Sequence, residues 1–140
     1  TEMRGLANNI VSAATSSEVT IDGDMLFNVT SGEADVAQIN TLDALTSNVI
    51  TATLSDNGAV TLATLKNANA NNALTITVTD TEVAASNLSK IDAATTVQVT
   101  ATAVETLTGT LATVNSILGA GGVSLTEARR TSRRLYPLGV

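Results

Sequence analysis

Residues 49–72 read VITATLSDNGAVTLATLKNANANN, and the equally long stretch that follows, 73–96, reads ALTITVTDTEVAASNLSKIDAATT. Set one under the other, both open on alternating apolar and polar residues. Both then pass a turn-prone stretch and continue with apolar residues three apart. The same order recurs in MLFNVTSGEADVAQINTLDALTSN (25–48) and VQVTATAVETLTGTLATVNSILGA (97–120), and a fifth block opens at Gly121 as GGVSLTEA. An internal period of this length is the mark of architectures built by stacking one small unit on the next.

The opening of each block alternates with period two. Thr51 and Thr53 flank Ala52, Thr75 and Thr77 flank Ile76, and Thr100 and Thr102 flank Ala101; Asn28 and Thr30 lie around Val29, and Ser124 and Thr126 around Leu125. The apolar positions between and beside them are Phe27 and Val29; Ile50, Ala52 and Leu54; Leu74, Ile76 and Val78; Val97, Val99 and Ala101; Val123 and Leu125. One apolar face at period two predicts half-buried strands. Turn residues come next: Ser31-Gly32, Ser55-Asp56-Asn57-Gly58, Asp80-Thr81 and Thr108-Gly109. The apolar sets at spacing three are Val36, Ile39, Leu42, Leu45; Leu62, Leu65, Ala68; Leu88, Ile91, Ala94; and Leu111, Val114, Ile117, which predict short helices. Strand, crossover, strand in one direction requires parallel pairing, and such crossovers are right-handed almost always. The expected fold is therefore an α/β repeat solenoid of right-handed strand–short-helix coils of about 24 residues. A pure parallel β-helix, with β on the opposite wall, is the alternative.

The ends depart from the period. Residues 1–24 are expected to cap the first coil, with a helix carrying Met3, Leu6, Ile10 and Val11 and a short strand over Glu18–Asp22. Residues 25–124 form the repeat, about four coils and a fifth strand. Residues 125–140 form a C-terminal cap and basic tail, with a helix over 126–135 that Pro137 would stop.

Composition narrows the function. The 140 residues include 24 Thr, one Phe, one Tyr and neither Trp, Cys nor His, so the core is aliphatic and thiol or imidazole chemistry is absent. Residues 1–128 hold all 13 acids against Arg4, Lys66 and Lys90, while Arg129, Arg130, Arg133 and Arg134 crowd the last twelve positions. An acidic body lacks the basic stripe that nucleic acid requires. No run approaches the roughly 20 apolar residues of a membrane helix. The chain opens on Thr1, consistent with a processed product or an excised piece, so the lack of a leader-like run carries no weight.

The stretch TITVTDTEVAASNLSKIDAATTVQVTATAVETLTGTLATVNSILGA, residues 75–120, resembles tandem repeats of very large secreted or cell-surface bacterial proteins, cyanobacterial ones especially. The likeness covers residues 49–120 well and 25–48 loosely, and neither terminus shares it. It implies an extracellular or cell-surface structural, adhesive or layer-forming role and implies no catalytic residues.

Two features remain as candidate chemistry. Asp56 and Asp80 occupy equivalent turns, and calcium could bridge such a pair through oxygen ligands; the better reading is a pair of solvated turn aspartates, with no cofactor. The second is the hydroxyl array Thr30, Thr51, Thr53, Thr75, Thr77, Thr100, Thr102, Ser124 and Thr126. With strands about 4.8 Å apart and i, i+2 side chains about 6.6 Å apart, these would form a flat two-column lattice. Such a lattice is similar to the ice-binding face of solenoid antifreeze proteins, and it also suits self-association or a carbohydrate surface. The leading expectation is a non-enzymatic structural or adhesive module. An ice- or crystal-surface-binding protein is the alternative, and a β-helix polysaccharide-active enzyme is the weakest.

Overall fold

The computed structural model describes residues 1–126; the expected C-terminal helix, its four arginines and Pro137 lie outside them. The elements run β1 (Glu2–Leu6), α1 (Ala7–Ala14), β2 (Leu26–Ser31), α2 (Val36–Asp43), β3 (Ile50–Thr53), α3 (Ala59–Leu62), β4 (Ala73–Thr75), β5 (Glu82–Ala84), α4 (Ala85–Ala93), β6 (Val99–Thr100), β7 (Thr106–Thr108), α5 (Leu111–Gly119) and β8 (Val123–Ser124). This is an α/β domain with a four-stranded parallel sheet, β1-β2-β3-β4, and short helices between the strands. Two further parallel pairs, β5-β7 and β6-β8, follow among the described residues, and a bridge between Thr77 and Thr100 links the run after β4 to β6.

Strand partners lie at a narrow range of sequence distances. Glu2 faces Leu26, Phe27 faces Ile50, Thr51 faces Ala73 and Val99 faces Val123, each separation falling close to the internal period of the sequence. Helices separate β1 from β2, β2 from β3, β3 from β4, β5 from β6 and β7 from β8. Among the described residues every strand pair is parallel rather than the antiparallel hairpin that a short connection would favour.

The alternation in the sequence places the core. Phe27, Ile50, Leu74, Ile76, Val78, Val99, Ala101 and Val123 are essentially inaccessible, and they pack against Ile39, Leu42, Leu62, Leu88 and Ile91 from the helices. Complete burial of each large aliphatic side chain contributes about 1.5–3 kcal/mol, which lets a chain with so little aromatic content hold one continuous core. The residues spaced by three lie in or just after helices rather than in strands. Three expected inward positions do not follow: Ala68 is exposed in the turn between α3 and β4, Val97 is 37% exposed, in a bend before β6, and Leu111 is 77% exposed on the first turn of α5.

The N-terminal expectation needs correction. Met3 and Leu6 belong to strand β1, not to a helix, and the helix begins only at Ala7. Parallel pairing of Glu2–Leu6 with β2 overrides the helical spacing of Met3, Leu6 and Ile10. Residues 18–22 form turn and irregular backbone instead of a strand. The short strands β5 and β7 had no counterpart in the sequence reading.

Candidate functional site

The threonines of the array are exposed from Thr30 to Thr102, while Ser124 and Thr126 are half-buried. Their register differs from the expected two columns. Asn28 faces Thr51, but Thr51 faces Ala73 rather than Thr75, and Thr75 sits beside Thr53. Thr77 likewise faces Thr100 rather than Thr102, and Thr100 faces Ser124. Each displacement is two positions, about 6.6 Å along the strand. Thr30 is the extra residue of a bulge, since Gly5 faces Val29 while Leu6 faces Ser31. The hydroxyls therefore make one short row, Thr77–Thr100–Ser124, and one pair, Thr53–Thr75, set diagonally.

The two turn aspartates are not simply solvated. An Asp56 carboxylate oxygen accepts the Val36 N–H at 2.8 Å, and an Asp80 oxygen accepts the Ala59 N–H at 2.6 Å. Val36 and Ala59 are the first residues of α2 and α3, so each aspartate caps a helix from well downstream and half-buries its carboxylate in doing so. Helix N-termini leave unpaired N–H groups, and an acidic oxygen there is favourable. Asp35 caps α2 a second time, accepting the Gln38 N–H at 2.7 Å while Gln38 Oε1 accepts the Asp35 N–H at 2.9 Å, a reciprocal capping box. Among the described residues, no three metal-ligating side chains stand together.

The polar residues that the fold buries form a bracing system at the turns after the helices. Asn72 donates to Asp43 Oδ1 at 2.9 Å and accepts the Ile50 N–H at 3.0 Å, and Asp43 Oδ2 accepts the Ala68 N–H at 3.3 Å. The Thr46 hydroxyl donates to the Met25 carbonyl at 2.5 Å, and Thr95 donates to the Leu74 carbonyl at 2.7 Å while accepting the Leu74 N–H at 2.9 Å. Further amides reach sideways by one period: Asn48 to the Asp24 carbonyl, Asn71 to the Ser47 carbonyl and Asn40 to the Thr64 carbonyl. The Asn-rich return at 69–72 was visible in the sequence, but nothing there marked Asn72 as its buried member.

Asn40 is the fifth residue of α2, and its Oδ1 also accepts the Lys66 N–H at 2.7 Å. Asn115 is the fifth residue of α5, yet its Oδ1 is buried without a hydrogen-bond partner. A shallow depression of about 360 Å³ lies between the end of α3 and the end of α4, lined by Ala63, Leu65, Asn67, Lys90, Ala93 and Ala94. It is open and places one cation among small apolar groups, with no second charged group to act on a substrate.

No family model, curated protein or solved structure matches the chain. Among the described residues, no helix is long and apolar enough to cross a membrane.

Proposed function

We propose that the chain is a right-handed solenoid of coils repeating at the sequence period, and that it acts as a non-enzymatic structural or adhesive module of a secreted or cell-surface bacterial protein. The observation that carries the reading is the constant reach of its hydrogen bonds. Main-chain ladders, aspartate caps and asparagine amides all join one stretch of chain to the next of its kind, at nearly the same sequence distance. Bracing of this sort serves rigidity along an axis, and in stacked folds stability comes from neighbour contacts. The absence of His and Cys from the whole chain, and turn carboxylates committed to helix N–H groups, suit a scaffold better than a catalyst. The surface location rests on the likeness of residues 49–120 to bacterial tandem repeats.

The test is excision of one coil. Thr77 faces Thr100, one period on, so deleting 73–95 joins Asn72 to Thr96 and lets the run into β6 take the place of the run through β4. A stacked architecture stays folded after this deletion, with helix and strand signals in proportion and a lower melting temperature. A chain that unfolds completely refutes the stack, because a single cooperative core cannot lose one central strand and helix.

A further inference from the structure

The sequence holds twelve asparagines, and one of them, Asn57, is followed by glycine. The pair lies in irregular backbone between β3 and α3, and three observations set it apart. The Asn57 side chain is exposed and makes no hydrogen bond among the described residues, whereas eight other asparagines hold theirs in hydrogen bonds. Asn9, Asn87 and Asn115 lack such a bond too, but they stand inside α1, α4 and α5 and precede Ile10, Leu88 and Ser116, whose side chains crowd the next nitrogen. Secondly, the Gly58 N–H has no hydrogen-bond partner among the described residues, while the carbonyl of the same peptide unit, that of Asn57, accepts the Thr79 N–H at 3.1 Å. A hydrogen bond to the carbonyl draws electron density from the amide nitrogen and makes its proton easier to lose. Thirdly, the backbone does not call for a glycine. Gly58 has φ −81° and ψ 128°, open to any residue, and a Cβ there would meet nothing nearer than Asp80 Oδ2 at 4.0 Å.

We infer that Asn57–Gly58 is a self-modification site, at which the Gly58 nitrogen attacks Asn57 Cγ and the rearranged product loosens the aspartate caps on either side. The deprotonated Gly58 nitrogen forms a bond to Cγ, the Cγ–Nδ2 bond breaks, and Nδ2 leaves as ammonia, regaining the proton that Gly58 gave to solvent. Water, the sole co-reactant, then opens the five-membered imide. Attack at Cγ leaves an ordinary aspartate, and attack at the former main-chain carbonyl leaves a β-linked aspartate, whose main chain runs through Cβ and Cγ. One water is consumed and one ammonia released, with nothing oxidised or reduced. Nucleophile and electrophile share one dipeptide, so the step gains from proximity, and the missing glycine side chain leaves the approach clear. The consequence follows from what flanks the pair. Asp56 caps α2 through the Val36 N–H, and Ala59, which opens α3, is held by Asp80. A β-linked residue lengthens the main chain between these two fastenings by a methylene, and it turns the carbonyl that receives the Thr79 N–H into a carboxylate beside the main chain. That new negative charge stands next to Asp56 and near Asp80, which is unfavourable to both caps. The chemistry goes beyond the scaffold role and is independent of whether the coils stack.

The experiment holds the full chain in warm, mildly alkaline buffer over days and samples it by intact mass and by peptide mapping with electron-transfer fragmentation, which tells β-linked from ordinary aspartate. The mass gained when NH2 becomes OH should map to Asn57, with both products present, at a rate at least about tenfold above that of any other asparagine. Gly58→Ala, whose methyl the fold has room for, should slow the reaction at least about tenfold, and Asn57→Ser should abolish it. Circular dichroism verifies that each variant is folded. The β-linked chain, separated by ion exchange, should unfold at a lower urea midpoint than the unmodified one. Asn57→Asp, which adds the charge without the methylene, should fall between them. Three results each overturn the inference: an Asn57 that reacts no faster than the other asparagines, a folded Gly58→Ala that reacts as fast as the wild type, or a β-linked chain with an unchanged midpoint.

Discussion

Asn72 offers the sharpest measurement. Its side chain is 1% exposed and holds two groups from other parts of the chain: the Ile50 N–H, which it accepts, and Asp43 Oδ1, to which it donates. In Asn72→Ala the amide disappears while both partners stay buried, and Asp43 itself is 7% exposed. Each buried polar group left unsatisfied costs about 1–3 kcal/mol, so the pair should amount to about 2–5 kcal/mol. The small volume removed gives water little room to compensate. Urea denaturation followed by circular dichroism reads this directly; with a slope of about 1–3 kcal/mol per molar, the midpoint should fall by about 1–2 M at an unchanged slope. Asn72→Ala combined with Asp43→Ala should be less destabilising than the two single losses added, because both delete the same contact. A midpoint shift below about 0.3 M, or strict additivity in the double variant, would refute the bracing role.

Three other outcomes follow from the same geometry. Asp80→Ala removes the oxygen that receives the Ala59 N–H and should cost about 1 kcal/mol, while Asp80→Asn, which keeps an acceptor, should cost less; chemical denaturation of both variants checks the order. Asn115→Leu replaces a side chain whose Oδ1 is buried and unpartnered, and it should raise the urea midpoint by an amount equivalent to about 1 kcal/mol rather than lower it. Glu2 titrates below the ordinary glutamate value because Arg4, at 2.8 Å, and Asn28 both donate to its carboxylate. Its contribution to stability is therefore present above the unfolded glutamate pKa and lost as pH falls through the folded one. A carbon-detected NMR titration should place Glu2 below the ordinary glutamate value, with Arg4→Gln moving it up.

Much of the interior was legible because burial in a strand leaves a period-two trace. Ile50-Thr51-Ala52-Thr53 and Leu74-Thr75-Ile76 bury the residues that their alternation assigned inward. The helix stripe at Leu88 and Ile91 was equally plain. Leu111 fits the same stripe but stands exposed on the first turn of α5. Register was not legible. It depends on how many residues each turn consumes, and a turn shortened by two moves Thr75 from beside Thr51 to beside Thr53 without altering either strand's pattern. The capping role of Asp56 and Asp80 was hidden for a related reason. Cap signals are sought close to a helix in sequence, and these come from almost a full period downstream.

That downstream origin orders events along the growing polypeptide. When α2 first takes shape on a nascent chain, its opening N–H at Val36 still has no acceptor from the aspartate that will hold it. The acceptor emerges only with Asp56, and Ala59 must wait in turn for Asp80. The starts of α2 and α3 are thus each clasped by chain made after them, and until Asp80 emerges α3 lacks the side-chain cap that the Asp35–Gln38 box already gives α2.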